Sequence, residues 1–295
     1  PDEFVSIIEK YFGDWKANPE IPTLSYEEEQ FIDTPLVKET FGLESEYLLM
    51  GWRLPGASDL KTSAVAEIAS DVLCNGQAGL IDIDLNQKQK VINVQLGVDL
   101  QPDYSDILAI GRPKAGQTLE DVRGLIMLEI QKLQDGDFDE SLIKATINNI
   151  KLSRSKMLTS NSLRAKQYVD AFINGIDWQD ACRDMERLEA VTKDDVIAFA
   201  KKYLGLQNYA LVYKRQGADT TVKKIAAPKI TPIVTNRDKQ SQFLVDIQNT
   251  KVEPIQPVYL DFDKDLSKTT LAKGQQLLYV QNKENELFNL SFVVG

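Results

Sequence analysis

Apolar residues recur along the chain with two periods, and the change from one to the other maps its elements. Phe4, Ile7, Ile8, Tyr11 and Phe12 stand at helical spacing, and Gly13 stops the run. A Pro-containing connector with an acidic run, Glu27-Glu28-Glu29, follows. Residues 46–54 (EYLLMGWRL) are a short apolar run closed by Pro55-Gly56, which predicts a buried strand. Asp59 then takes an N-cap position, and Leu60, Ala64, Ala66, Ile68, Val72 and Leu73 predict a helix over 60–74, closed by Asn75-Gly76. Residues 78–90 fit a helix or an irregular segment. Residues 91–98 alternate and 107–111 are apolar, two strands with turn chemistry at Pro102-Asp103 between them.

From 119 to 204 the period is helical. Leu119, Val122, Ile126, Ile130 and Leu133 form one stripe ended by Gly136. A helix from about Asp139 to 157 carries Leu142, Thr146 and Ile150 on one face, and others cover 162–174 and 178–189. Thr192 and Asp195 form a capping box with Asp in place of Glu or Gln, ahead of a face made by Val196, Phe199, Ala200, Tyr203 and Leu204. Residues 209–213 (YALVY) read as a strand. Strands and helices segregate rather than alternate. The expected class is therefore α+β, an antiparallel sheet with helices packed on one face.

After Gly217 the pattern fades, with prolines at 228, 232, 254 and 257. Val258–Phe262, Leu277–Val280 and Phe288–Val294 then read as strands, with a turn at Lys273-Gly274. The chain divides accordingly into the end of one domain and a connector (1–37), a complete domain (38–216), a linker (217–258) and the start of a further domain (259–295).

Composition narrows the chemistry. At 295 residues, with 43% hydrophobic and 26% charged, the chain is an ordinary globular one with a sizeable core. It has no histidine, which removes Ser-His-Asp and Cys-His nucleophilic sites and every imidazole metal ligand. Its two cysteines, Cys74 and Cys182, form no CxxC; they read as free core residues, though one disulfide is formally possible. The net charge of −10 argues against nucleic acid as a partner. No apolar run has membrane-span length and no cleavable signal pattern opens the chain, which reads as a piece of a longer protein.

The candidate motifs are weak. Asp82-x-Asp84-x-Asn86 has the opening of a calcium loop, but Gln87 and Asn93 stand where Gly and Glu are needed, so a solvated face is the better reading. Gly76-Gln77-Ala78-Gly79 lacks the phosphate-loop ending and reads as a turn. Cys182 has no histidine partner and reads as packing. Arg183 and Arg187 with Asp184, Glu186 and Glu189 read as a salt-bridged helix surface. No catalytic, cofactor-binding or metal-ligating residue is assigned.

Four segments carry a resemblance to a known family. They are the opening FVSIIEKYFGDW; EYLLMGWRLPGASD with the helix ending LCNGQAGL; LEAVTKDDVIAFAKKYLGLQNYALVYKR (188–215); and TTLAKGQQLLYVQNKENELFNLSFVVG. Their order resembles that of the M16 (insulinase/pitrilysin-type) zinc metallopeptidases, although Ala78-Gly79-Leu80 stands where that family usually has a small residue and Ser-Arg-Leu. The resemblance implies an M16/LuxS-like metallohydrolase-type domain. The family's zinc is held by His-x-x-Glu-His and a downstream Glu in the domain before this one, so no catalytic residue carries over. It implies no cofactor in this stretch and zinc in a parent metalloendopeptidase. The expected partners are the remaining M16 domains, in the same chain or a partner subunit, and an unfolded peptide substrate. Residues 38–216 would form chamber wall and 217–258 the strap joining two halves. The alternative is a metal-free M16-like scaffold or partner subunit; a third reading is an unrelated binding domain. The linker style and acidic balance lean towards a bacterial periplasm.

Overall fold

A computed structural model of the protein describes residues 2–22, 25–30, 32–219, 226–233, 235 and 237–294. Most of the predicted elements form, and those of the sheet and its covering helices bury one face. Helix α1 (Asp2–Phe12) carries the spacing seen from Phe4 to Phe12, with that face exposed. Strand β1 (Leu36–Gly42) is an edge strand with no buried residue, and its apolar side chains, Leu36, Val37 and Phe41, follow no strand alternation in the sequence. Strand β2 (Tyr47–Pro55) buries Leu48, Met50, Trp52 and Leu54 on one face. Helix α2 (Leu60–Leu73) is capped by Asp59, whose carboxylate accepts from the Thr62 N–H at 3.1 Å and the Thr62 hydroxyl at 2.8 Å.

The ambiguous segment after α2 contains a π-helical turn, Asp82–Gln87. Strands β3 (Asn93–Asp99) and β4 (Tyr104–Arg112) follow as an antiparallel pair. Helix α3 (Leu119–Asp135) has a capping box from Thr118 and Asp121 and ends at Gly136, whose φ of 72° is the left-handed C-cap that glycine adopts without strain. Then come α4 (Ser141–Met157), α5 (Asn161–Ile173), α6 (Trp178–Cys182), α7 (Asp184–Glu189), α8 (Lys193–Tyr203) and β5 (Ala210–Gln216).

Two helix expectations need correction. The helix expected over 178–189 is broken at Arg183, which ends α6 and precedes α7. On α4 the buried side chain is Ile143 rather than Leu142, while Thr146 and Ile150 are buried as expected.

The five strands order as β1-β5-β2-β4-β3. Three of the four pairings are antiparallel, but β1 runs parallel to β5, from Leu36 opposite Ala210 to Gly42 opposite Gln216. The α+β class stands, with a mixed sheet in place of the wholly antiparallel one expected. Helices α2, α3 and α8 pack against one another and on the sheet face that carries Leu48, Met50 and Trp52. Helix α3 comes so close to β4 that a Cβ at Gly111 would stand 2.7 Å from Val122 Cγ1.

Buried polar groups fix the layers. Gln134 donates from its amide to the carbonyls of Ala200 and Leu204, tying α3 to the end of α8. The Lys214 ammonium donates to the carbonyls of Gly42, Glu44 and Ser45, closing the β1–β2 turn onto β5.

By internal contacts the chain forms two compact units, Pro1–Asn149 with Gln167–Ala218, and Ile150–Lys166 with Asp219–Gly295. The second holds α9 (Gln242–Asn249), capped by Ser241, and an antiparallel hairpin of β6 (Ser267–Thr270) and β7 (Gln276–Tyr279). The sequence expected no helix in this stretch. The strands expected at Val258–Phe262 and Phe288–Val294 are not formed: these residues join no ladder among the described residues, and Phe262 lies in a turn. An apolar run becomes a strand only when a neighbour takes up its backbone groups. Among the described residues no helix is long and apolar enough to cross a membrane.

Candidate functional site

A dense polar cluster lies where α2 ends, the π-helical turn begins and β3 starts. Its centre is Asp82, 4% exposed. Asp82 Oδ2 accepts from the backbone N–H groups of Asn75, Gly76 and Gly79 at 2.8, 2.9 and 3.1 Å. Asn86 Nδ2 stands 3.4 Å from the other carboxylate oxygen, and Cys74 Sγ 3.5 Å from it. The loop after α2 is thus wound around a carboxylate that satisfies its backbone donors.

The three residues of the calcium-like pattern do not converge. Asp82 points into the loop. Asp84 pairs with Lys132 on α3 at 2.5 Å and with Lys88 at 2.6 Å, and these two ammonium groups hold its carboxyl down at about 2. Lys132 also pairs at 2.9 Å with Glu129, which burial pushes above its ordinary value. Asn86 turns to β3, where its Oδ1 accepts from the Val94 N–H at 2.8 Å and its Nδ2 donates to the Val94 carbonyl at 2.9 Å. One amide side chain so takes the place of a neighbouring strand at Val94, on a strand that ends the sheet. Sequence reasoning missed these roles. The available signal was glycine at 76 and 79 ahead of Asp82, a loop whose close-set N–H groups need an acceptor.

Cys74 is half-buried and Cys182 exposed, both as free thiols, so neither occupies the core position expected of it. Burial, and after it Asp82, pushes the Cys74 thiol up to about 11, which keeps it protonated and un-nucleophilic at neutral pH. The Arg187–Asp184 pair, at 3.6 Å, is the helix-surface contact expected there, and Arg187 also donates to the Asp180 carbonyl. Among the described residues no group of three His, Cys, Asp or Glu side chains is placed to hold a metal ion.

Burial, and then the charge of Asp82, raises the Asp71 carboxyl from 3.8 to about 6. A carboxyl raised in the folded state binds more protons there than in the unfolded chain. Stability therefore falls as pH rises from about 4 to about 6, and the penalty is complete above that window. Asp71→Asn is expected to raise the melting temperature at pH 7.5 by a few degrees and to have almost no effect at pH 4. Thermal melts of the two proteins across that range test it; an equal shift at both pH values would contradict the ionised-state penalty.

Comparisons with known proteins bear on this arrangement. The family model described as "Peptidase M16 inactive domain" matches residues 1–150. No curated protein sequence matches the chain significantly. Among solved structures, a protease from Helicobacter pylori is similar at a TM-score of 0.66 and 19% identity, over 72% of this chain and 52% of that one. A peptidase M16 inactive domain from Pseudomonas fluorescens aligns at 0.58 and 14%, over 68% and 48%. The periplasmic protease PqqL from Escherichia coli aligns at 0.55 and 10%, over 97% of this chain and 34% of that one. The chain spans about half the length of the first two. At these identities the likeness is one of fold.

Proposed function

The chain belongs to the peptidase M16 family, matching the model of its inactive domain, and on that premise we propose that residues 38–216 form a non-catalytic wall of a chamber that encloses unfolded peptides. The observation that carries the reading is the one-sidedness of the sheet. Its helices cover the face with Leu48, Met50 and Trp52, while Leu49, Leu108 and Ile110 stand half-buried or exposed on the other. This partly exposed apolar patch, on a face that also carries Arg53, Gln95, Asp106 and Arg112, suits an unfolded chain, which offers apolar side chains at irregular spacing among polar ones. The π-helical turn after α2 adds support, because its Asp82, Asp84 and Asn86 are committed to the chain's own backbone and lysines. In this reading residues 1–37 end a preceding M16 domain, 217–258 strap two halves together, and 259–295 begin the next domain.

Two measurements test it. Elemental analysis of the parent protein and of this chain is expected to find about one zinc per parent chain and none bound here. A parent without zinc after metal-replete purification would favour a scaffold or partner subunit. In an active parent, Leu108→Asp on the open sheet face is expected to raise KM for an unfolded peptide several-fold, with kcat and zinc content unchanged. An unchanged KM would contradict the wall role of this face.

A further inference from the structure

The acidic connector before β1 is held at one end of the sheet by side chains that read its backbone. Tyr104, at the start of β4, accepts a hydrogen bond from the Glu29 N–H at 3.1 Å. Arg53, near the end of β2, donates from Nη1 to the Gln30 carbonyl at 3.0 Å and pairs through Nη2 with the Glu29 carboxylate at 3.6 Å. The Arg53 guanidinium also lies 5.4 Å from the centre of the Tyr104 ring, which orients both groups towards the connector. An open groove of about 940 Å³ runs along this contact, lined by the connector's own Tyr26 to Glu29 as well as by Arg53, Tyr104, Lys202 and Tyr203 of the sheet-bearing fold.

Residues 25–30 are exposed and have no regular secondary structure. Two of the three contacts are to main-chain atoms and the third is to a carboxylate. Such contacts tolerate many sequences, provided that an acidic residue stands at the position of Glu29 with its N–H free and the next carbonyl accessible.

We infer that Arg53, Tyr104 and the adjoining groove form a binding site for an extended acidic peptide, which residues 26–30 occupy in cis. Tethering gives the chain's own segment a millimolar-range effective concentration, so a free peptide competes poorly while that segment is in place. The inference does not depend on the chamber reading, since it concerns the end of the sheet and needs neither zinc nor catalysis.

The test uses a fluorescein-labelled SYEEEQ peptide, the sequence of residues 25–30, and fluorescence anisotropy. Glu29→Pro removes both the donated N–H and the carboxylate of the resident segment, at an exposed position outside any element. This variant is expected to bind the peptide at least ten-fold more tightly than the unaltered chain. Adding Arg53→Ala should cancel the gain, and adding Tyr104→Phe, which removes only the hydroxyl, should reduce it several-fold. Raising the salt concentration should weaken binding. Equal affinity in the unaltered chain and Glu29→Pro, or binding by Glu29→Pro that neither second substitution weakens, would overturn the inference.

Discussion

Trp52→Ala is expected to cost the sheet-bearing unit about 4 kcal/mol, a large fraction of the stability of an ordinary domain. The side chain is fully buried in the middle of β2, opposite Ile107 of β4. Its ring packs against Tyr209 with the centroids 5.9 Å apart. Its indole N–H donates to the Gly205 carbonyl at 3.1 Å, just past the end of α8. Truncation opens a cavity that the flanking β-ladders keep from collapsing, and it strips Gly205 of its donor. Trp52→Phe separates the two effects, because it keeps most of the apolar contact and loses only the hydrogen bond, at about 1–2 kcal/mol. Urea unfolding followed by circular dichroism measures both. A cost below about 1 kcal/mol for the alanine variant would contradict the central place of Trp52 in the core.

Most of the elements legible in the sequence are those whose burial has a period, although α1 and β7 were legible with their apolar side chains exposed. Strand β2, helices α2, α3 and α8, and strand β5 each set a buried face against the same core, so that their apolar residues recur at the spacing of the element. Caps were legible for a related reason. Asp59 and Thr192 satisfy donors three residues away, and a local hydrogen bond leaves a local signature, while the equivalent box of Thr118 and Asp121 went unread.

What could not be read depends chiefly on partners distant in sequence. Strand β1 exists because β5 lies beside it, more than 170 residues later, and its side chains are exposed. The same pairing makes the sheet mixed. Val258–Phe262 had the composition of a strand without a ladder to join. At the α2–β3 junction, the D-x-D-x-N pattern read as a solvated face rather than a cation loop; the π-helical turn does send the three side chains in three directions, but it buries Asp82 among backbone donors instead of leaving it in water. Spacing predicts convergence only where the backbone conformation is known.

Asp82→Ala is expected to be nearly as damaging as the loss of Trp52, at about 3 kcal/mol, although it removes few apolar contacts. The carboxylate is the acceptor for three backbone N–H groups, and the Gly79 donor is buried, so water replaces it incompletely. Asp82→Asn keeps the shape and one acceptor oxygen, and its added N–H₂ faces groups that are themselves donors. Its expected cost is about 2 kcal/mol. Three further readouts separate a role for the charge from simple loss of packing. With the negative charge gone, the Asp71 carboxyl should titrate below about 6, while remaining above the ordinary 3.8 because burial, the larger cause, is retained. The Cys74 thiol should fall below about 11 for the same reason. Asn86 loses a partner, so its hold on Val94 loosens and exchange of the Val94 amide should quicken. An asparagine variant that loses stability with the Asp71 titration unmoved would show that Asp82 acts by shape alone. If instead all three change together, one buried carboxylate links the loop after α2, the protonation of its neighbour and the closure of the sheet edge.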